Sequence, residues 1–137
     1  LLSGRTDVVR KGTVLIGTIK GDLHDIGKNI VRALLEGNGF QVVDIGIDNP
    51  PEKFVEGIRK HSPDVVGYSG LLTTTLGAMP DQIEALKKAG LRERVITIVG
   101  GAPVTEDFAK RNGVDLFGKD ANEGVLVIEK ALKARAR

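Results

Sequence analysis

The sequence contains neither cysteine nor tryptophan. Without cysteine it has no disulfides, no thiolate nucleophile and no Cys-ligated zinc or iron–sulfur centre. Its five aromatic residues, four Phe and one Tyr, are too few for a base-stacking platform. A dominant charge is missing as well. Twenty Lys and Arg against eighteen Asp and Glu give a formal charge of +2, and both signs are mixed along most of the chain. A nucleic-acid binder concentrates positive charge on one face. The one basic cluster, Lys130, Lys133, Arg135 and Arg137, suits the C-terminus of a helix. No apolar run is long enough to span a membrane and no signal peptide is recognised, so a cytoplasmic protein without nucleic-acid or membrane partners is expected. The chain begins with Leu, which suits a piece of a larger protein. What it has in excess is glycine, eighteen of 137 residues, as in folds whose loops approach a ligand closely.

Strand-like and helix-like patterns alternate throughout. Val14 to Ile19 is a short apolar run, typical of a strand buried on both faces. Ile26, Ile30, Val31, Leu34 and Leu35 follow at helical spacing over 26–37, and Asn38-Gly39 ends that helix. Gln41 to Ile45 reads as a second strand. Asn49-Pro50-Pro51-Glu52 reads as a helix start with a capping-box-like pattern, leading into Phe54, Val55 and Ile58. Val65 to Tyr68 is the third strand. A helix over 75–89 carries Leu76, Met79, Ile83 and Leu86 on one stripe, with Pro80 in its first turn, or else kinking it, and Ala89-Gly90 at its close. Val95 to Val99 is the fourth strand, and Thr105 caps a short helix to Arg111. Leu116 to Gly118 is the fifth, and Asp120-Ala121-Asn122-Glu123 opens the last helix. Five strand–helix units imply an α/β fold: a five-stranded parallel sheet with helices on both faces, joined by right-handed crossovers. Residues 1–12 read as a polar lead-in and 13–137 as one domain.

Ligands of such sheets sit beyond the carboxyl ends of the strands, near the switch in strand order. After strand one stands Asp22-Leu23-His24-Asp25-Ile26-Gly27. In an extended loop, Asp22 and His24 project to the same side. A carboxylate can take the proton of one imidazole nitrogen and leave the other basic, fixed for a metal. Taken alone, His24 equally fits a surface loop and Asp22 a turn. His61, near a helix end, needs no function. After strand three, Ser69-Gly70-Leu71-Leu72-Thr73 can donate a hydrogen bond and line an apolar slot, or simply open a helix with capping hydroxyls. After strand four, Gly100-Gly101 can clear volume at the sheet edge, or form a tight turn.

Together these pieces resemble the cobalamin-binding family that includes methionine synthase, corrinoid proteins and cobalamin-dependent mutases. The family pattern is Asp-x-His-x-x-Gly, then Ser-x-Leu, then Gly-Gly. Forty-one residues separate Gly27 from Ser69, and 28 separate Leu71 from Gly100. The order and spacing match across nearly the whole chain, and His24 to Val31 looks like the methyl-transfer branch. The resemblance implies a flavodoxin-like or Rossmann-like cobalamin-binding fold. It implies cobalamin as cofactor, with His24 on the cobalt in place of the cofactor's own base (base-off, His-on). Asp22 and Ser69 would back that ligand. The corrin ring would rest on the Asp22–Gly27 loop, which brings in Asp25 and Ile26. Gly27, Gly100 and Gly101 would leave a slot for the displaced tail, lined by Ser69, Leu71 and Thr73, with Gly118 and Asp120 closing it. It implies a methyl carrier cycling between cob(I)alamin and methylcobalamin, its methyl-Co(III) form, rather than a self-sufficient enzyme. Its partners would be a methyl-donor and a methyl-acceptor methyltransferase, with a helical cap domain in the full-length protein.

The nearest rival is the cobalamin-binding subunit of an adenosylcobalamin-dependent mutase. A cobalamin-based light or ligand sensor would need a signalling domain that is not seen. A phosphoryl-accepting receiver wants an Asp at the end of strand three, where Tyr68-Ser69-Gly70 stands. A nicotinamide domain wants Gly-x-Gly-x-x-Gly after strand one. A flavin domain rests on fold analogy alone.

Overall fold

The computed structural model describes residues 11–21, 26–70, 76–101 and 104–135. Five parallel strands, β1 (Thr13–Thr18), β2 (Gln41–Asp44), β3 (Val65–Ser69), β4 (Ile96–Gly100) and β5 (Leu116–Gly118), form one sheet in the order β2-β1-β3-β4-β5. Five described helices alternate with them: α1 (Ile26–Gly37), α2 (Pro51–His61), α3 (Met79–Lys88), α4 (Glu106–Arg111) and α5 (Ala121–Arg135). The fold class expected from the alternation is the one found. The chain leaves β1 in opposite lateral directions to reach β2 and β3, so the switch point lies between β1 and β3.

The alternation of side chains along each strand builds two cores. Val14, Ile16, Val65 and Ile98 meet Leu35, Val125 and Ile128 beneath α1 and α5. Leu15, Val66, Tyr68 and Val99 meet Phe54, Ile58, Met79, Ile83 and Leu86 beneath α2 and α3. The Tyr68 ring stacks on Phe54 at 4.4 Å between centroids, and burial raises its phenol above the usual range. No helix among the described residues is long and apolar enough to cross a membrane.

Local signals account for most boundaries. Gly39 (φ +94°) ends α1 as the pattern indicated, with Phe40 N–H donating to Leu35 O at 3.0 Å and Gly39 N–H to Glu36 O at 3.1 Å. The Thr105 hydroxyl accepts from Phe108 N–H at 3.1 Å and caps α4. Asp120 accepts from Glu123 N–H at 2.9 Å, while the Glu123 carboxylate accepts from Lys119 N–H at 2.8 Å. Two expectations need correction. The expected helix over 75–89 runs from Met79 to Lys88, with Pro80 in its first turn and Gly77-Ala78 in a turn before it. Proline lacks an N–H and its ring crowds the carbonyl four residues back, so no regular helix continues through it from Leu76. Asn49 does not cap α2; Pro50 is the N-cap, with no side-chain hydrogen bond.

At the amino end of the sheet, Asp115 clamps β4 to the start of β5. Its carboxylate accepts from Thr97 N–H at 2.9 Å and from Arg92 at 3.0 Å. Partial burial alone would raise its pKa; the hydrogen bonds from Arg92 and Thr97 outweigh this and hold it below the usual carboxylate range. A lowered folded-state pKa contributes stability above the unfolded value, and this is lost as pH falls through the folded one. Asp115→Asn therefore lowers the melting temperature at pH 7, and the gap to the parent closes as pH drops below about 4. Thermal melts of both proteins from pH 7 to 2.5 check this.

Candidate functional site

The loops singled out in the sequence meet at one edge of the sheet. Thr18 pairs with Ser69, Ser69 with Gly100 and Gly100 with Gly118, one row across the carboxyl ends of β1, β3, β4 and β5. Ile16, Gly67, Ile98 and Leu116 form the next row on the same face, two residues inward. Between these rows and the helices α1 and α5 lies a cavity of about 280 Å³. Both helices run antiparallel to the strands. Gly27 and Ala121 therefore line its mouth, and Leu35 and Ile128 its depth.

The glycines around it fall into two kinds. Among the described residues, a Cβ at Gly27 or Gly124 would meet no atom within 4 Å, and one at Gly100 would meet only Gly118 O at 3.8 Å. These positions leave space. Gly101 instead has φ +140°, and a Cβ there would collide with the carbonyl oxygen of Gly70. It allows the backbones after β3 and β4 to touch. The Gly-Gly pair thus divides its work, one residue keeping a cavity open and the other permitting a close backbone approach. Gly118 presses on the backbone of Gly124, bringing the start of α5 onto β5. Asp120 caps that helix at the mouth of the cavity.

Of the residues expected at the site, Ser69, Gly27, Gly100, Gly101, Gly118 and Asp120 all line this cavity. Ile26 is the first residue of α1. Asp22, His24, Asp25, Leu71 and Thr73 lie outside the described residues. The exit of β1 and the start of α1, which bracket residues 22–25, are both at the carboxyl edge.

Sequence reasoning missed three features. Gly67 and Gly124 also line the cavity; a glycine inside a strand or a helix is a usable signal of close approach, since it costs the element stability. Asn49 ties down the exit of β1. Its side chain donates to Thr18 O at 3.0 Å and Gly46 O at 2.9 Å, and its carbonyl accepts from Lys20 N–H at 2.8 Å. The third feature is an ion pair between Lys28, 4% exposed, and Asp44 at the end of β2, with Nζ–O distances of 2.6 and 2.7 Å. Asp44 also accepts from Gly46 N–H at 2.8 Å. Without Lys28, Asp44 keeps only the longer 3.5 Å contact to the half-exposed Arg32 among the described cations, which leaves its largely buried charge poorly compensated. Lys28→Met should cost about 3 kcal/mol in chemical denaturation, and adding Asp44→Leu should recover part of it; purely additive losses would mean that the two side chains are not coupled.

A cavity walled by glycines at the carboxyl edge, filled by no side chain of the described residues, suits a flat group inserted between sheet and helices. The B12 binding domain model matches residues 12–126, and the chain belongs to that family; its cofactor is cobalamin. The Trimethylamine corrinoid protein of Methanosarcina barkeri is 50% identical over 121 residues, which are 88% of this chain and 56% of the relative. A cobalamin-binding protein from Desulfitobacterium hafniense DCB-2 superposes with a TM-score of 0.83 at 42% identity, covering 86% of this chain and 58% of the other. The methanol:cobalamin methyltransferase complex of Methanosarcina barkeri gives 0.85 at 34% identity, covering 91% and 48%. The chain spans about half the length of these relatives.

Proposed function

We propose that this chain is the cobalamin-carrying domain of a corrinoid methyl carrier that works between a methyl-donor and a methyl-acceptor methyltransferase. Bound cobalamin supplies a cobalt centre that accepts and gives up a methyl group. The chain's own residues hold the cofactor, orient it and manage one proton. The observation that carries the reading is the glycine-walled cavity opening at the row of Ser69, Gly100 and Gly118, which suits the nucleotide tail of a cofactor whose own base has left the metal.

In this reading His24 takes the place of that base. Asp22 accepts the proton on the imidazole's other nitrogen, which keeps the ligating nitrogen basic and the ring oriented. Ser69 backs Asp22 from the rim. Asp25 and Ile26 would belong, with Gly27, to the loop under the corrin ring, and Leu71, Thr73 and Asp120 would complete the slot for the tail. The relatives reported above, a trimethylamine corrinoid protein and a methanol:cobalamin methyltransferase complex, favour methyl transfer over the radical chemistry of a mutase subunit. A helical cap domain would belong to the rest of a longer protein, for which the 56% coverage of the relative leaves room.

Reconstitution tests this. The protein is incubated with hydroxocobalamin, passed through gel filtration, and its visible spectrum recorded. A coloured protein fraction with the spectrum of cobalamin whose benzimidazole has been displaced is expected. A colourless fraction, or retained cofactor with its benzimidazole still on cobalt, contradicts the proposal.

A further inference from the structure

We infer that the cavity selects the lower base of the corrinoid it carries, taking apolar aromatic bases and discriminating against purines. The inference rests on the proposed entry of the nucleotide tail and names the ligand class that entry would accept.

The walls change character with depth. Ser69, Lys119 and Asp120 stand at the rim, and the Lys28 ammonium is engaged by Asp44. Val14 lies four residues before Thr18 along β1, roughly 13 Å deeper at the usual strand rise. Below the rim, from the Ile16 and Ile98 row roughly 7 Å down to Val14, the described lining includes Val14, Ile16, Leu35, Ile98 and Ile128, all buried and all aliphatic. The strand backbone groups there are engaged in the ladder between β1, β3 and β4. The base is the far end of the tail, so it is the part that meets this lining. A phenolic base presents no nitrogen, and a displaced benzimidazole presents one unpaired acceptor. Adenine brings an exocyclic amine with two donors and several ring acceptors. Each would be stripped of water and left without a partner, an outcome that weakens binding far more than a lost contact does.

The test compares three corrinoids on the full chain by equilibrium dialysis: a phenolyl cobamide, an adeninyl cobamide and tail-less cobinamide. The phenolyl form is the clean comparator for adenine, because its base never has to leave the cobalt. The phenolyl form should bind roughly 10- to 100-fold more tightly than the adeninyl form. Equal affinity, or tighter binding of the adeninyl form, overturns the selectivity while leaving the tail in its slot. Cobinamide binding as tightly as the phenolyl form overturns the slot reading itself and the selectivity with it. Ile98→Thr places a hydroxyl in the deep lining and should narrow the gap between the two cobamides; an unchanged gap counts against the aliphatic lining as its source.

Discussion

Gly124→Leu should yield a protein that folds at least as well as the parent and no longer retains cobalamin. Gly124 lies inside α5, where glycine costs the helix about 1 kcal/mol relative to Ala or Leu. A Cβ there would meet nothing within 4 Å among the described residues, and the residue lines the cavity. The helix therefore forgoes stability at a position where any side chain would project into empty space. An aromatic base that buries about 150 Å² gains about 4 kcal/mol. Excluding it should raise the dissociation constant for cobalamin by two to three orders of magnitude. Gly124→Ala is the milder companion, with a smaller loss. Thermal melts of the apoproteins and equilibrium dialysis with hydroxocobalamin check both halves. A leucine variant that melts higher and binds as well as the parent would show that the cavity is not where the tail goes.

His24→Ala should separate the two holds on the cofactor. The cavity remains, so the variant should still retain cobalamin, more weakly. The nitrogen–cobalt bond should be gone, and the visible spectrum should become that of base-off cobalamin without a protein ligand. Asp22→Asn removes only the proton acceptor behind the imidazole; changes of that kind lower metal affinity by about 10- to 100-fold. An unchanged spectrum in the alanine variant would remove His24 from the cobalt. Complete loss of binding would mean that the cavity contributes little by itself.

The alternation of strands and helices was readable because a parallel sheet buried on both faces shows each strand as an unbroken apolar run, as in Val14–Ile19 and Val95–Val99. The convergence of Ser69, Gly100 and Gly118 was readable because they end neighbouring strands, and parallel register aligns those ends. What escaped depended on tertiary partners. Lys28 and Asp44 are ordinary charged residues sixteen positions apart until α1 lays one against the other. Asn49 has the look of a helix cap, yet the end of β1 offers its side chain the Thr18 carbonyl. Gly67 sits within a strand whose apolar pattern conceals it, and only the packing of α1 and α5 reveals the space above.

Electron paramagnetic resonance of the Co(II) protein, labelled with nitrogen-15 at histidine alone, reads the ligand on cobalt. The chain contains two histidines, and His61 ends α2 at the opposite, amino edge of the sheet, so the label at cobalt reports on His24. Coupling to a single nitrogen-15 should split each cobalt line into two. Splitting into three, the signature of unlabelled nitrogen from the cofactor's own base, would contradict the account.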